Sequence, residues 1–245
     1  MQNVILVIPA REGSTRFPGK IMYPISGKPM LWHVVERARE SGIERVVVAT
    51  DTENYRKQCE EAGIEAVLTS DLHQSGTDRV FEAVSKLDPE EKYKYVINLQ
   101  GDTPLINPNS IDAALKLIQN SDFDITTVAC PMPSSLDPMD PNNVQVAVTA
   151  NKKALYFSRL PIPYNNKNHL CHIGLYIFNR DILKKFVSMP PSPLELMERL
   201  EQLRALENNM TIGLEVVDDV PVSVDVPSDI DIAEYYLDLL NKRKL

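Results

Sequence analysis

The chain has 245 residues, 43% of them hydrophobic and 24% charged, with a formal net charge of -8. That length buries a full core, and the acidic balance excludes the broad basic surface that binds a nucleic acid backbone. Three scattered cysteines (Cys59, Cys130, Cys171) provide neither a zinc site nor a disulfide framework, and the first apolar run is too short for a signal sequence or membrane span, so a cytoplasmic protein with free thiols and no membrane insertion is expected.

Val4 to Ile8 is a continuous apolar run bounded by Pro9, the pattern of a parallel strand covered on both faces. Behind it comes Arg11-Glu12-Gly13-Ser14-Thr15-Arg16-Phe17-Pro18-Gly19-Lys20, a strand-end loop rich in cations, hydroxyls and glycine, which suits a polyphosphate. It is not a Walker A loop, because Ile21 stands where a Ser or Thr should follow the lysine, and no G-x-G-x-x-G occurs in it. Met30, Leu31, Val34, Val35 and Ala38 recur at helical spacing until Gly42. Arg45 to Asp51 predicts a second buried strand, Glu53 to Ala62 a polar helix stopped by Gly63, and Ala66 to Thr69 a short third strand. A helix from about Gly76, carrying Val80, Phe81, Val84 and Leu87, precedes a fourth strand over Tyr95 to Gln100.

A helix after Pro108 leads to a strand over Ile125 to Ala129. Four prolines then break the rhythm, and Val144, Val146, Val148 and the run Ala154 to Ser158 predict antiparallel strands. His172 to Phe178 predicts another strand, followed by helices from about Arg180 and Pro193, strands over Leu214 to Val217 and Val220 to Val224, and a helix from Pro227. The expected fold class is α/β: a doubly wound, mostly parallel, Rossmann-like sheet with an added small antiparallel β layer, folded as a single domain over 1–245. Ligands of such a sheet lie at the carboxyl ends of its strands.

Asp102, in Gln100-Gly101-Asp102, and Asp225, after Val222-Ser223-Val224, both follow apolar stretches. Two carboxylates converging on a polyphosphate would hold magnesium. Asp225 can equally be a helix cap before Pro227. Ser75 and Thr77 read as helix caps or as part of a polar loop that meets a base or ribose. His172, Gly174 and Tyr176 share one strand face, which is a pocket wall or plain packing. Glu201, at the border of the apolar sector of the helix from Pro193, is a solvated boundary residue or a ligand. No Ser-His-Asp or Cys-His set supports a covalent mechanism.

Together these residues carry a resemblance. Ile8-Pro9-Ala10-Arg11, Ser14-Thr15-Arg16, Pro18-Gly19-Lys20, Gly27-Lys28-Pro29-Met30, Val48-Ala49-Thr50-Asp51, His73 to Arg79, Gln100-Gly101-Asp102, Ala154 to Arg159, His172-x-Gly174-x-Tyr176 and Leu200 to Arg204 stand in one order along the chain. In this set the chain resembles the CMP-Kdo synthetases, the 3-deoxy-manno-octulosonate (Kdo) cytidylyltransferases. It differs from their usual pattern at Thr103, where Glu is common, and at Ser223 and Val226 around Asp225.

The resemblance implies that Ala10, Arg11, Ser14, Lys20, Ser75, Arg79 and Asp102 meet CTP, and that Asp102 and Asp225 hold Mg2+. It further implies that Gln100, Arg159, His172, Tyr176, Glu201 and Gln202 face a 2-keto sugar acid, and that 130–163 is a dimerisation region of a homodimer. Arg11, Lys20, Asp102 and Asp225 would then be the catalytic set for CMP transfer to Kdo, serving lipopolysaccharide or capsule biosynthesis. Two alternatives stand beside this: transfer to a related acidic sugar such as amino-Kdo or a sialic-acid-like substrate, and a non-catalytic nucleotide-binding module.

Overall fold

The computed structural model describes residues 3–13, 17–134, 136–165, 168–219 and 222–243. The chain divides into two compact units, Met1–Pro108 with Val222–Leu245, and Asn109–Pro221. The first unit runs β1 (Val4–Ala10), a 3-10 turn (Lys20–Met22), β2 (Pro24–Ile25), β3 (Lys28–Pro29), α1 (Met30–Glu40), β4 (Val46–Thr50), α2 (Glu53–Glu61), β5 (Ala66–Leu68), α3 (Gly76–Leu87) and β6 (Tyr95–Leu99). Four of its strands lie in the order β6-β1-β4-β5, all parallel, with Leu6 opposite both Val46 and Ile97. Every position of β1, β4 and β6 is buried, as strands covered on both faces require. Because these strands are parallel, the loops carrying Arg11, Asp51 and Gln100 leave the same edge of the sheet.

The second unit holds α4 (Pro108–Gln119), β7 (Ile125–Pro131), β8 (Gln145–Val148), β9 (Ala154–Ser158), β10 (Leu170–Asn179), α5 (Arg180–Ser188), α6 (Pro193–Glu198), α7 (Leu203–Glu207) and β11 (Ile212–Val216). Here β11 is parallel to β7, whereas β7 with β10, β10 with β8, and β8 with β9 are antiparallel. The register of β10 against β7 shifts between Ile173 and Tyr176, so Tyr176 rather than Gly174 stands opposite Thr127. After this unit the chain closes with α8 (Asp229–Arg243) in the first. A parallel α/β unit and an antiparallel β layer are the architecture that the apolar runs and the proline-broken stretch predict.

One element was not expected, and two local expectations need correction. Pro24–Ile25 and Lys28–Pro29 pair as a hairpin around Ser26 and Gly27, both at positive φ (48° and 80°), a turn whose backbone suits the twist of two antiparallel strands. The strand expected over Val220 to Val224 is not formed by its described residues: Val224 donates a single main-chain hydrogen bond to the Asp102 carbonyl, while Val220 and Pro221 lie outside the described residues. The helix from Pro193 stops at Glu198, because Arg199 turns left-handed (φ 56°) and Leu200 N–H closes back on the Glu195 carbonyl. Glu201 and Gln202 therefore occupy the joint between α6 and α7 rather than a helical face.

Candidate functional site

In the first unit, the end of β1, the 3-10 turn, the start of α3 and the end of β6 enclose a cavity of about 160 Å³ lined by Pro9, Arg11, Lys20, Ile21, Gln74, Ser75, Gly76, Arg79 and Gln100. Two glycines make this approach possible. A Cβ on Gly101 would come within 3.0 Å of Ile21 and 3.1 Å of the Pro9 carbonyl, and one on Gly76 within 3.3 Å of the Pro9 ring. Ala10 ends β1, fully buried and opposite Thr50. Ser14 lies outside the described residues.

Lys20 is drawn across the mouth of β6. Its Nζ donates to Asp102 Oδ2 at 2.8 Å, to the Val224 carbonyl at 2.9 Å and to Asp225 Oδ1 at 3.4 Å. Two carboxylates far apart in sequence thus share one cation. Asp229 Oδ2 accepts the main-chain N–H groups of Asp225 and Val226 at 2.7 and 2.9 Å, so the capping carboxylate at this turn is Asp229, while that of Asp225 meets Lys20.

Ser75 does cap α3, its Oγ accepting from Asp78 N–H at 3.0 Å, and it also lines the cavity. Arg79 is buried. Desolvation acts against its charge, and Asp51 opposes that with an ion pair at 3.2 Å, while Thr69 Oγ1 and the Ser70 carbonyl accept at 2.6 and 3.1 Å. Asp51 also accepts Glu12 N–H at 3.1 Å, so one carboxylate fastens the phosphate-type loop and orients Arg79. Gln100 is fixed in turn, donating to Asn98 Oδ1 at 2.9 Å, while Asn98 donates to Thr77 Oγ1 at 3.1 Å.

The second unit gathers His172, Tyr176 and Glu201. The His172 ring lies 5.1 Å from Phe157 and 5.3 Å from Tyr176, centroid to centroid. Burial in this aromatic surrounding pushes the imidazole down to about 3, so it is neutral at physiological pH. Burial, with the Glu201 charge as a second cause, holds the Tyr176 phenol well above its usual range, which keeps it a proton donor. Gln202 is buried at the start of α7. The Arg159 guanidinium donates to the carbonyls of Glu198, Pro141 and Arg199 at 2.8, 2.7 and 3.2 Å. Glu198 collects Tyr156 Oη, Ser158 Oγ and Arg159 N–H, clamping the end of β9.

Sequence reasoning missed Asp51, Asn98, Thr127 and Glu198 as organising residues. Asp51 carries a readable sign, an acidic residue just after a buried strand. Thr127 carries none, being one β-branched residue among several in a strand.

A parallel α/β unit with a cationic, glycine-shaped cavity and paired carboxylates at its strand ends defines a nucleotidyltransferase class of protein. The family profile described as Cytidylyltransferase matches residues 5–212. The 3-deoxy-manno-octulosonate cytidylyltransferases of Bartonella tribocorum and Agrobacterium fabrum are each 45% identical to the chain, covering 93% and 96% of it and 95% and 96% of their own lengths. A solved structure of CMP:2-keto-3-deoxy-manno-octonic acid synthetase complexed with CTP superposes with a TM-score of 0.88 at 35% identity, over 96% of this chain and 98% of that one. The chain belongs to the cytidylyltransferase family, among the 3-deoxy-manno-octulosonate cytidylyltransferases.

Proposed function

We infer that the chain transfers CMP from CTP to the anomeric hydroxyl of Kdo, giving CMP-Kdo and pyrophosphate. The observation that carries the reading is the Lys20 ammonium shared by Asp102 and Asp225 beside the Arg11, Ser75, Arg79 and Gln100 cavity. It is supported by relatives named for this activity that match over almost their whole length. In the reaction the anomeric hydroxyl gives up its proton to solvent, its oxygen bonds to the α-phosphorus, the bond to the bridging oxygen breaks, and pyrophosphate leaves. No covalent enzyme intermediate is required, so catalysis consists of alignment and charge neutralisation.

Asp102 and Asp225 fit a divalent cation, since they already converge on one positive charge, and magnesium takes one or two protein carboxylates together with phosphate oxygens and water. Magnesium bound there would neutralise phosphate charge and polarise the α-phosphoryl group. Lys20 and Arg11 supply fixed positive charge to the triphosphate, and Gln100, which the resemblance assigns to the sugar acid, lines the same cavity with its amide held by Asn98. In the second unit, Tyr176 donates and His172 accepts hydrogen bonds from the sugar acid. An imidazole of such low basicity does not serve as the general base.

We further propose a homodimer formed through 130–163, where Met139, Leu155 and Leu160 expose apolar surface. Among the described residues no helix is long and apolar enough to cross a membrane. Incubation with CTP, magnesium and Kdo, amino-Kdo or a sialic acid, with pyrophosphate release as readout, tests the reading. Release with Kdo well above the others is expected. Preference for another acid would move the assignment to a sister substrate, and no release with any of them would refute it.

A further inference from the structure

Thr127 is fully buried in β7, opposite the shifted register of β10. Its Oγ1 lies 2.6 Å from the Leu175 carbonyl and 2.9 Å from His172 Nε2. A carbonyl has no hydrogen, so the threonine proton must lie on the line to Leu175. Toward His172 the same oxygen is then only an acceptor, and Nε2 must carry the imidazole hydrogen. The ring's single lone pair is left on Nδ1.

We propose that Thr127 is a positioning residue of the sugar-acid site, which locks His172 as the Nε2–H tautomer and so makes its Nδ1 an acceptor for a substrate hydroxyl, not a donor to the substrate carboxylate. The inference rests on the cytidylyltransferase reading for the identity of the substrate, but its first half is a property of the free protein. The register shift is what makes the lock possible. It turns the Leu175 carbonyl and the His172 ring toward one side chain of the neighbouring strand, a re-aiming that bulges commonly perform near binding sites. The aromatic surrounding serves the same end, because a protonated ring would need two acceptors and would lose its lone pair. Recognition of the acid group consequently belongs to other donors, and His172 discriminates between sugars by the position of a hydroxyl.

The test uses the whole enzyme labelled with 15N at its four histidines, His172 being assigned by comparison with His172→Gln. Wild-type spectra at neutral pH should show the Nε2–H pattern for His172. Thr127→Val, which keeps the shape and removes the acceptor, should lose that single pattern and raise KM for Kdo about tenfold, the usual scale for leaving a buried polar group unpaired, with KM for CTP unchanged. Thr127→Ser retains the hydroxyl and should keep both the tautomer and the KM. An Nδ1–H pattern in the wild type, a shifted tautomer in Thr127→Ser, or an unchanged KM for Kdo in Thr127→Val overturns the inference. Should Thr127→Val fail to fold, the wild-type and Thr127→Ser spectra still decide it. Absence of pyrophosphate release by the wild type would instead sink the functional reading and the substrate half of the inference, while the spectra would still report on the tautomer lock.

Discussion

In the first unit a lysine ammonium is held by two carboxylates and a carbonyl, whereas in the second a histidine ring sits among aromatic side chains and carries no charge. The first arrangement suits a polyanion, whose charge must be met by opposite charge. The second suits a sugar, which is recognised by the directions of its hydroxyls. On the proposed reading one chain meets two recognition problems with different physics, and the contrast yields tests that separate the halves.

The largest effect is expected at the carboxylates. Asp102→Asn or Asp225→Asn should lower turnover about 100-fold or more and recover in part at high magnesium, as read from a magnesium-dependent rate curve. Asp225→Asn should leave the melting temperature nearly unchanged, since Asp229 holds the main chain of that turn. Lys20→Met should also reduce turnover about 100-fold, more than it weakens CTP binding, because the ammonium matters most as charge shifts in the transition state. The same variant leaves Asp102 and Asp225 facing one another without their shared cation, so calorimetry of the nucleotide-free protein should show tighter magnesium binding than in the wild type.

The neutral half predicts a different pH behaviour. His172 titrates near 3 when folded and near 6.5 when unfolded, so between those values the unfolded chain binds more protons. Its contribution to stability is therefore complete above about pH 6.5 and is lost as pH falls toward 3. Denaturant melts of wild type and His172→Gln should converge or change order on acidification. Equal separation of the two at pH 4 and pH 8 would contradict the neutral, half-buried ring. The smallest effect is purely structural: a methyl on Gly213 would overlap the Phe123 ring, so Gly213→Ala should destabilise the second unit by about 1–3 kcal/mol and leave both KM values in place.

Much of the first unit is legible in the amino-acid order, because its strands are unbroken apolar runs and its first two helices end at Gly42 and Gly63, both at positive φ. The cavity residues Arg11 and Ser75 are legible for the same reason, Arg11 following the end of β1 and Ser75 capping α3, while Lys20 begins the 3-10 turn and Arg79 lies in the first turn of α3. What escaped depends on contacts between segments distant in sequence. The α6 break at Arg199 is not marked by Gly or Pro, so the helical pattern of the sequence runs on through Glu201. Thr127 acquires its role only from a register shift in β10, and Glu198 only from the return of β9 beside it. Asp225 was ambiguous for a like reason, since the side chain that takes the capping task lies four residues further on.

Calorimetric titration of CTP with magnesium into wild type, Asp225→Asn and His172→Gln, set beside the KM for Kdo of each, tests the division of labour most directly. His172→Gln should bind CTP within about twofold of wild type while its KM for Kdo rises about tenfold, and Asp225→Asn should lose CTP-magnesium affinity. If His172→Gln lost CTP affinity in step with its loss of Kdo use, with its melt unchanged, the two halves would not divide the substrates between them.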